Sequence, residues 1–230
     1  MSGNDIKIKS KGHTLTVVWV IIGVILCIAA ARVLIWEHNY YNEKEGSARA
    51  ASVSSITTDD EVDETDVTDE MKAEHIVAAD RPRYLSIEKL GIVNARVLSV
   101  GTTSAGQLGT PLGIFDVGWY TESSKPGTGG TMLMDGHNGG PTKEGVFKHL
   151  PDLESGDIIK LERGDGKIFN YRVVENLMFS ISDANTNMSM MFFSAEPGTE
   201  GLNLITCTGQ WSQAQRTYLS RNFIRAVLTE

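Results

Sequence analysis

Cysteine is nearly absent from this chain: two in 230 residues, Cys27 and Cys207. That excludes the disulfide framework of small secreted domains. Cys27 lies inside an apolar run and Cys207 in the C-terminal half, so they do not pair across domains. An unpaired thiol in an oxidising compartment is a liability unless it does chemistry, and nucleophilic catalysis at Cys207 is therefore the first reading. Missing as well is any basic patch interleaved with aromatics and arginine, in a chain of net charge -8, so nucleic acid is not an expected partner. No Asp-x-Asp-x-Asp-Gly calcium loop and no internal repeat occurs. No cofactor or metal is expected.

Charge is unevenly placed. Residues 1–41 carry +2, residues 42–80 carry -9 and residues 81–230 carry -1. The acidity belongs to the middle segment and says nothing about the partners of the C-terminal domain. From Leu15 to Ala31 the chain runs 17 residues without a charge, and Val33 to Trp36 extend the run beyond Arg32. As a helix the uncharged part spans roughly 26 Å, close to a bilayer core of about 30 Å. Lys7, Lys9 and Lys11 precede it, and Trp19, Trp36, Tyr40 and Tyr41 flank it as interfacial aromatics. The expectation is a cytoplasmic N-terminus (1–14), one transmembrane signal-anchor helix (15–36) in contact with membrane lipid, a flexible acidic linker (37–80) and an extracellular domain (81–230). A cleaved signal peptide ending near Ala29-Ala30-Ala31 is the rival, disfavoured because the apolar run outlasts a signal core and continues past the alanines. The linker, with Thr57 to Asp66 charged and free of aromatics, buries too little to offset chain ordering.

From Arg81 onward strand-like runs alternate with turn signals. The expected strands are Tyr84–Leu90, Ala95–Val100, Ile114–Trp119, Gly130–Asp135, Ile158–Glu162, Phe169–Phe179, Leu202–Cys207 and Phe223–Leu228. Arg163-Gly164-Asp165-Gly166-Lys167 is a hairpin turn, since Asp-Gly tolerates positive φ. Gly145–Leu150 and the Met-rich Asn185–Ala195 are the expected helical insertions, with Met188, Met191 and Phe192 as packing residues. Eight short strands indicate an all-β barrel or sandwich.

A cysteine nucleophile needs a proton-transfer partner and a group that stabilises an oxyanion. The domain offers two histidines. His137 follows an apolar strand where Gly136, Gly139 and Gly140 open into a loop, whereas His149 lies in a short helical turn and reads as a surface or packing residue. Arg216 follows Cys207 across a turn-rich segment and leads into the last strand. Its guanidinium would supply fixed donors, with Arg221 and Arg225 as competing candidates.

Leu-Ile-Thr-Cys207, Gly-His137 after an earlier strand and an arginine shortly after the cysteine resemble the sortases, membrane-anchored cysteine transpeptidases of mainly Gram-positive bacteria. The resemblance covers about Arg81 to Leu228 and includes Gly118-Trp119-Tyr120, Pro126-Gly127, Val146-Phe147 and Leu153 to Asp157. It implies a closed eight-stranded sortase-like β-barrel with short helical insertions. It also implies Cys207 as nucleophile, His137 as proton shuttle and Arg216 as the arginine; Thr206 is a candidate substrate contact and, as a β-branched residue in a strand, equally a structural one. The implied reaction cleaves an LPXTG-like sorting signal on surface proteins through a thioacyl intermediate and transfers the protein to a peptidoglycan precursor or other amine acceptor. Asp135, two before the histidine, departs from the small or apolar residue often found there, and Asn138-Gly139-Gly140 makes the next loop unusually flexible. No Asp-Pro-Trp type lid is present, against the pilin-polymerising subtype. The alternatives are a secreted cysteine peptidase that only hydrolyses and a non-catalytic anchored β-domain that binds wall or partner proteins.

Overall fold

The structure, a computed structural model, describes residues 62–103 and 106–229. The expected membrane helix (15–36) and the larger part of the expected linker lie outside these residues. Among the described residues no helix is long and apolar enough to cross a membrane.

Eight strands form: β1 (Pro82–Ile87), β2 (Ile92–Val100), β3 (Val117–Tyr120), β4 (Thr131–Gly136), β5 (Ile158–Arg163), β6 (Ile168–Ser180), β7 (Gly201–Ser212) and β8 (Thr217–Leu228). They close into a barrel in the order β1-β2-β3-β4-β7-β8-β6-β5, the closed eight-stranded architecture that the resemblance implies. Two neighbouring pairs, β2 with β3 and β4 with β7, run parallel; the remaining pairs are antiparallel.

Side chains alternate across the wall, as the two-residue period of a strand requires. Met132 and Met134 of β4, Leu202 and Leu204 of β7, and Ile224 and Ala226 of β8 point inward and pack with Leu85, Trp119, Leu161 and Tyr171 as the barrel core. Leu133, Ile205 and Phe223 point outward, where Ala184, Met188 and Met191 cover them as a second apolar cluster. Strands β4 and the first part of β7 are therefore buried on both faces, as parallel strands in general are. β5, with nothing over its outer side, alternates between exposed and buried.

The Asp-Gly hairpin forms between β5 and β6, where Gly166 takes φ +84° and Arg163 N–H donates to Lys167 O at 2.9 Å. The second insertion begins earlier than the methionine pattern suggested. Ser180 ends β6 and caps helix α2 (Ile181–Asn187) by accepting from Asp183 N–H at 3.2 Å, and a 3₁₀ turn follows over Met188–Phe192. A serine that closes a strand and opens a helix leaves no loop for the eye to find. The expected helix at Gly145–Leu150 is a series of turns ending in a 3₁₀ segment, Leu150–Asp152.

Two differences bear on function. First, residues 62–80, expected as the end of a flexible linker, lie against the barrel. Helix α1 (Asp69–Ala73) is capped by Thr68, the Tyr84 hydroxyl donates to Lys72 O, and Arg83 Nε donates to His75 O at 2.9 Å. Second, β7 and β8 are longer than expected. Gly209 does not turn the chain; it takes φ +83° in a bulge, after which pairing resumes at Trp211↔Tyr218 and Ser212↔Thr217. A glycine inside a strand marks a bulge as readily as a turn. The hairpin continues past it, with Trp211 and Tyr218 edge to face at 5.2 Å.

Candidate active site

Three adjacent strands, β4, β7 and β8, carry the chemistry. The parallel ladder between β4 and β7 runs to Asp135↔Ile205, and the Thr206 hydroxyl continues it by donating to Gly136 O at 2.8 Å. His137 follows directly after the end of β4, and Cys207 is the next residue of β7. On the other side of β7, Cys207 is the register partner of Arg221. Alternation puts Cys207 and Arg221 on the outer face with Ile205 and Phe223, and His137, one residue past β4, continues the phase of Leu133 and Asp135, so the three define a row along this face.

Arg216 does not join this row. The extended hairpin carries it to the β7–β8 turn, exposed and with φ +50°, two pairs beyond the Gly209 bulge. The expected turn between Cys207 and Arg216 is instead a bulge followed by two further pairs, Trp211↔Tyr218 and Ser212↔Thr217, which moves Arg216 away from the thiol. Arg221, weighed as a competitor, stands opposite Cys207. Arg225, on the same face two pairs along, is held by Glu175 at 2.6 Å. His149 sits on the surface with Asp152 at 3.1 Å and Glu144 at 3.5 Å. Of the two readings open for Thr206, its placement matches the structural one. Its side chain is fully buried and bonded to Gly136 O, so it ties β7 to β4.

Within the row, each group is shaped by burial. Cys207 is 4% exposed, and burial pushes its thiol pKa up, as does the Asp135 carboxyl, while the Arg221 charge draws it down. His137 is 7% exposed; burial lowers its pKa, and its bond to the Pro111 carbonyl partly opposes that. Both shifts favour an uncharged thiol and an uncharged imidazole at rest. His137 Nε2–H donates to Pro111 O at 2.7 Å, so the neutral ring carries its lone pair on Nδ1. Arg221 is 1% exposed. One terminal nitrogen donates to Tyr218 O at 2.8 Å and Ser220 O at 3.0 Å, the other to Thr217 Oγ1 at 3.4 Å, and its Nε–H is buried without a partner. A buried donor left open beside a thiol is suited to receive an oxygen that gains charge.

Asp135 lies two residues before His137 and shares its phase. It is buried, and neither carboxyl oxygen meets hydrogen-bond geometry, although the Thr110 hydroxyl lies near enough to favour its anion. Burial dominates and holds its pKa up at about 7. Gly118 on β3 makes the room, since a Cβ there would meet Asp135 Oδ1 at 2.3 Å and Pro111 Cδ at 2.9 Å. Pro111 itself had no signal in the sequence, because a carbonyl acceptor is supplied by any residue type. No group of three or more potential metal ligands occurs among the described residues.

A family model described as Sortase domain matches residues 85–229. Comparison with curated proteins gives no match. Among solved structures, the chain is similar to sortase A from Corynebacterium diphtheriae, with TM-score 0.47 and 22% identity over 65% of this chain and 62% of that one. It is similar to a Clostridium perfringens sortase D5 transpeptidase, with TM-score 0.46 and 23% identity over 71% and 89% of the two chains. A pilus-related sortase C of Group B Streptococcus gives TM-score 0.49 and 15% identity over 84% and 89%. The chain thus spans less than two thirds of the length of the Corynebacterium protein.

Proposed function

The chain belongs to the sortase family, and from that premise we propose that it is a cysteine transpeptidase in which Cys207 is the nucleophile, His137 the proton carrier and Arg221 the oxyanion donor. The pairing of Cys207 with Arg221, together with His137 directly after β4 on the other side of β7, is the observation that carries the proposal. The substrate class is a protein bearing an LPXTG-like sorting signal, and the acceptor is an amine such as a peptidoglycan precursor. The same reading has the barrel outside the membrane, anchored through residues 15–36.

In the first half-reaction Sγ of Cys207 attacks the threonine carbonyl carbon, and the thiol proton passes to His137 Nδ1. The resting pair is neutral, so charge develops only as the bond forms. An imidazolium, a sulfur–carbon bond and an oxyanion arise together, the last facing the guanidinium of Arg221. Donors preorganised in this way contribute on the order of 10²- to 10³-fold in rate. The carbon–nitrogen bond then breaks, His137 returns its proton to the departing glycine amine, and a thioester remains on Cys207. In the second half-reaction an acceptor amine attacks the thioester carbon and gives its proton through His137 to the released thiolate. An amide bond is restored, and no oxidant or reductant is consumed. The small exposure of Cys207 requires that the peptide displace part of the cover over the row as it binds.

Incubation of the full chain with an LPXTG-like peptide and an oligoglycine amine tests the reading. A ligated product that requires Cys207 supports it; an acid product alone, whatever the amine concentration, would assign the chain to the hydrolytic peptidases.

A further inference from the structure

We infer that Glu64, in the strap Asp63–Asp66 that precedes the barrel, is a positioning residue for His137, so that the end of the tether is a working part of the catalytic unit. The inference rests on the role proposed for His137. Two supports hold this histidine. Its ring is held by Pro111 O, and its backbone carbonyl accepts from Phe147 N–H at 2.9 Å. Between them runs the loop Asn138–Gly145, whose two consecutive glycines give it little stiffness of its own.

The strap grips both supports. Asp63 N–H donates to Leu112 O at 2.8 Å and Asp63 O accepts from Ile114 N–H at 2.9 Å, a parallel bridge that fixes the segment directly after Pro111. Glu64 reaches to the other side. Its Oε1 accepts from the backbone N–H groups of Thr142 at 2.8 Å and Lys143 at 2.9 Å, and its Oε2 from the Thr142 hydroxyl at 2.5 Å. Lys143 Nζ returns the contact to Glu64 O at 3.1 Å and Asp66 Oδ1 at 2.9 Å. These bonds hold the Glu64 carboxyl below its ordinary pKa. The fit is close, since a Cβ on Gly140 would lie 2.4 Å from Glu64 Oε1. The clamped residues pass their order back to the histidine: Gly140 N–H donates to Lys143 O at 2.9 Å and Gly145 N–H to Asn138 O at 2.8 Å.

A carboxylate that organises two amides and a hydroxyl of a glycine-rich loop does for that loop what buried side chains do elsewhere. Without it the loop keeps its own turns and the side-chain contacts of Lys143 with Asp66 and Glu144 with His149, and loses the bonds that seat its backbone at residues 142 and 143. His137 would then sample a wider range of positions and meet more water. The ionisable and charged groups on the strands around it are Asp135 on its own strand, Cys207 on β7 and Arg221 on β8, none of which the strap touches.

The test compares the full chain with Glu64→Ala and Glu64→Gln. Glutamine keeps an acceptor for the two amides, and the Thr142 hydroxyl can turn to accept from its NH₂. In Glu64→Ala kcat should fall on the order of 10- to 100-fold, the scale of a small misplacement of a reacting group, with KM within about twofold; Glu64→Gln should recover most of it. The ring titration of His137, followed by NMR, should move toward higher pH in Glu64→Ala as burial is relieved, and stay near that of the parent in Glu64→Gln. Faster hydrogen exchange at residues 138–145 should accompany the alanine change. An unaltered His137 titration and unaltered exchange in Glu64→Ala would overturn the inference, even with a lowered melting temperature. Should the parent process no sorting-signal peptide, the proposed function falls, while the titration and exchange still judge the clamp.

Discussion

Replacing Asp135 by asparagine removes one ionisation and keeps the shape of the side chain. In the folded protein this carboxyl is buried, without hydrogen-bond geometry at either oxygen, and stays protonated up to about pH 7. In the unfolded chain it ionises near 3.8. Between those values the native state binds more protons than the unfolded state, so this group makes stability fall as pH rises, from full stabilisation below about 4 to none above about 7. At about 1.4 kcal/mol per pH unit the total is on the order of 4 kcal/mol. The depressed carboxyls of Asp63, Glu64 and Asp80 give the opposite slope, but they are common to both proteins and cancel in the difference. Urea unfolding of the full chain and of Asp135→Asn, at intervals from pH 4 to 8.5, reads that difference directly. Relative to the parent, the variant should gain stability steadily up to about pH 7 and then run parallel. Parallel curves across the whole range would refute the buried, proton-holding carboxyl. Because the Asp135 charge pushes the Cys207 thiol up, the variant should also alkylate at lower pH than the parent. An unmoved alkylation midpoint would show that the two groups do not interact.

Two further predictions follow from placement. Arg221→Lys should lower kcat on the order of 10²-fold or more, because lysine keeps the charge and loses the fixed fork of donors. Arg216→Lys, at the hairpin turn, should stay within a few-fold of the parent; steady-state kinetics that reversed this order would return Arg216 to the site. Thr206→Val removes the hydroxyl from Gly136 O and leaves that carbonyl buried, at a cost of about 1–3 kcal/mol in unfolding free energy with KM little changed, whereas a raised KM at unaltered stability would restore Thr206 as a substrate contact.

Much of the architecture was legible because its signals are local. Strand periodicity, the Asp-Gly hairpin and the Gly-His pair at the end of β4 each depend on a few neighbouring residues. What escaped depends on pairing at a distance. Gly209 reads equally well as a turn or a bulge, and only the resumed ladder at Trp211↔Tyr218 decides; with it the arginine facing Cys207 changes from Arg216 to Arg221. Residues 62–80 look solvated by composition, yet Glu64 and Asp66 find donors on a loop almost eighty positions away. Pro111 contributes through a backbone carbonyl, which no side-chain pattern announces. Asp135 was visible as a departure, but its consequence needed the empty space left by Gly118 on the next strand.

The central claim is that Cys207 becomes acylated with Arg221 and His137 beside it. Intact-mass and peptide-mapping spectrometry of the full chain, quenched in acid shortly after mixing with an LPXTG-like peptide, tests it most directly. The account predicts a thioester of the N-terminal peptide fragment on Cys207, discharged by added amine, absent in Cys207→Ala and strongly reduced in Arg221→Lys. Peptide cleavage that persists in Cys207→Ala, or an adduct that forms equally in Arg221→Lys, would contradict it.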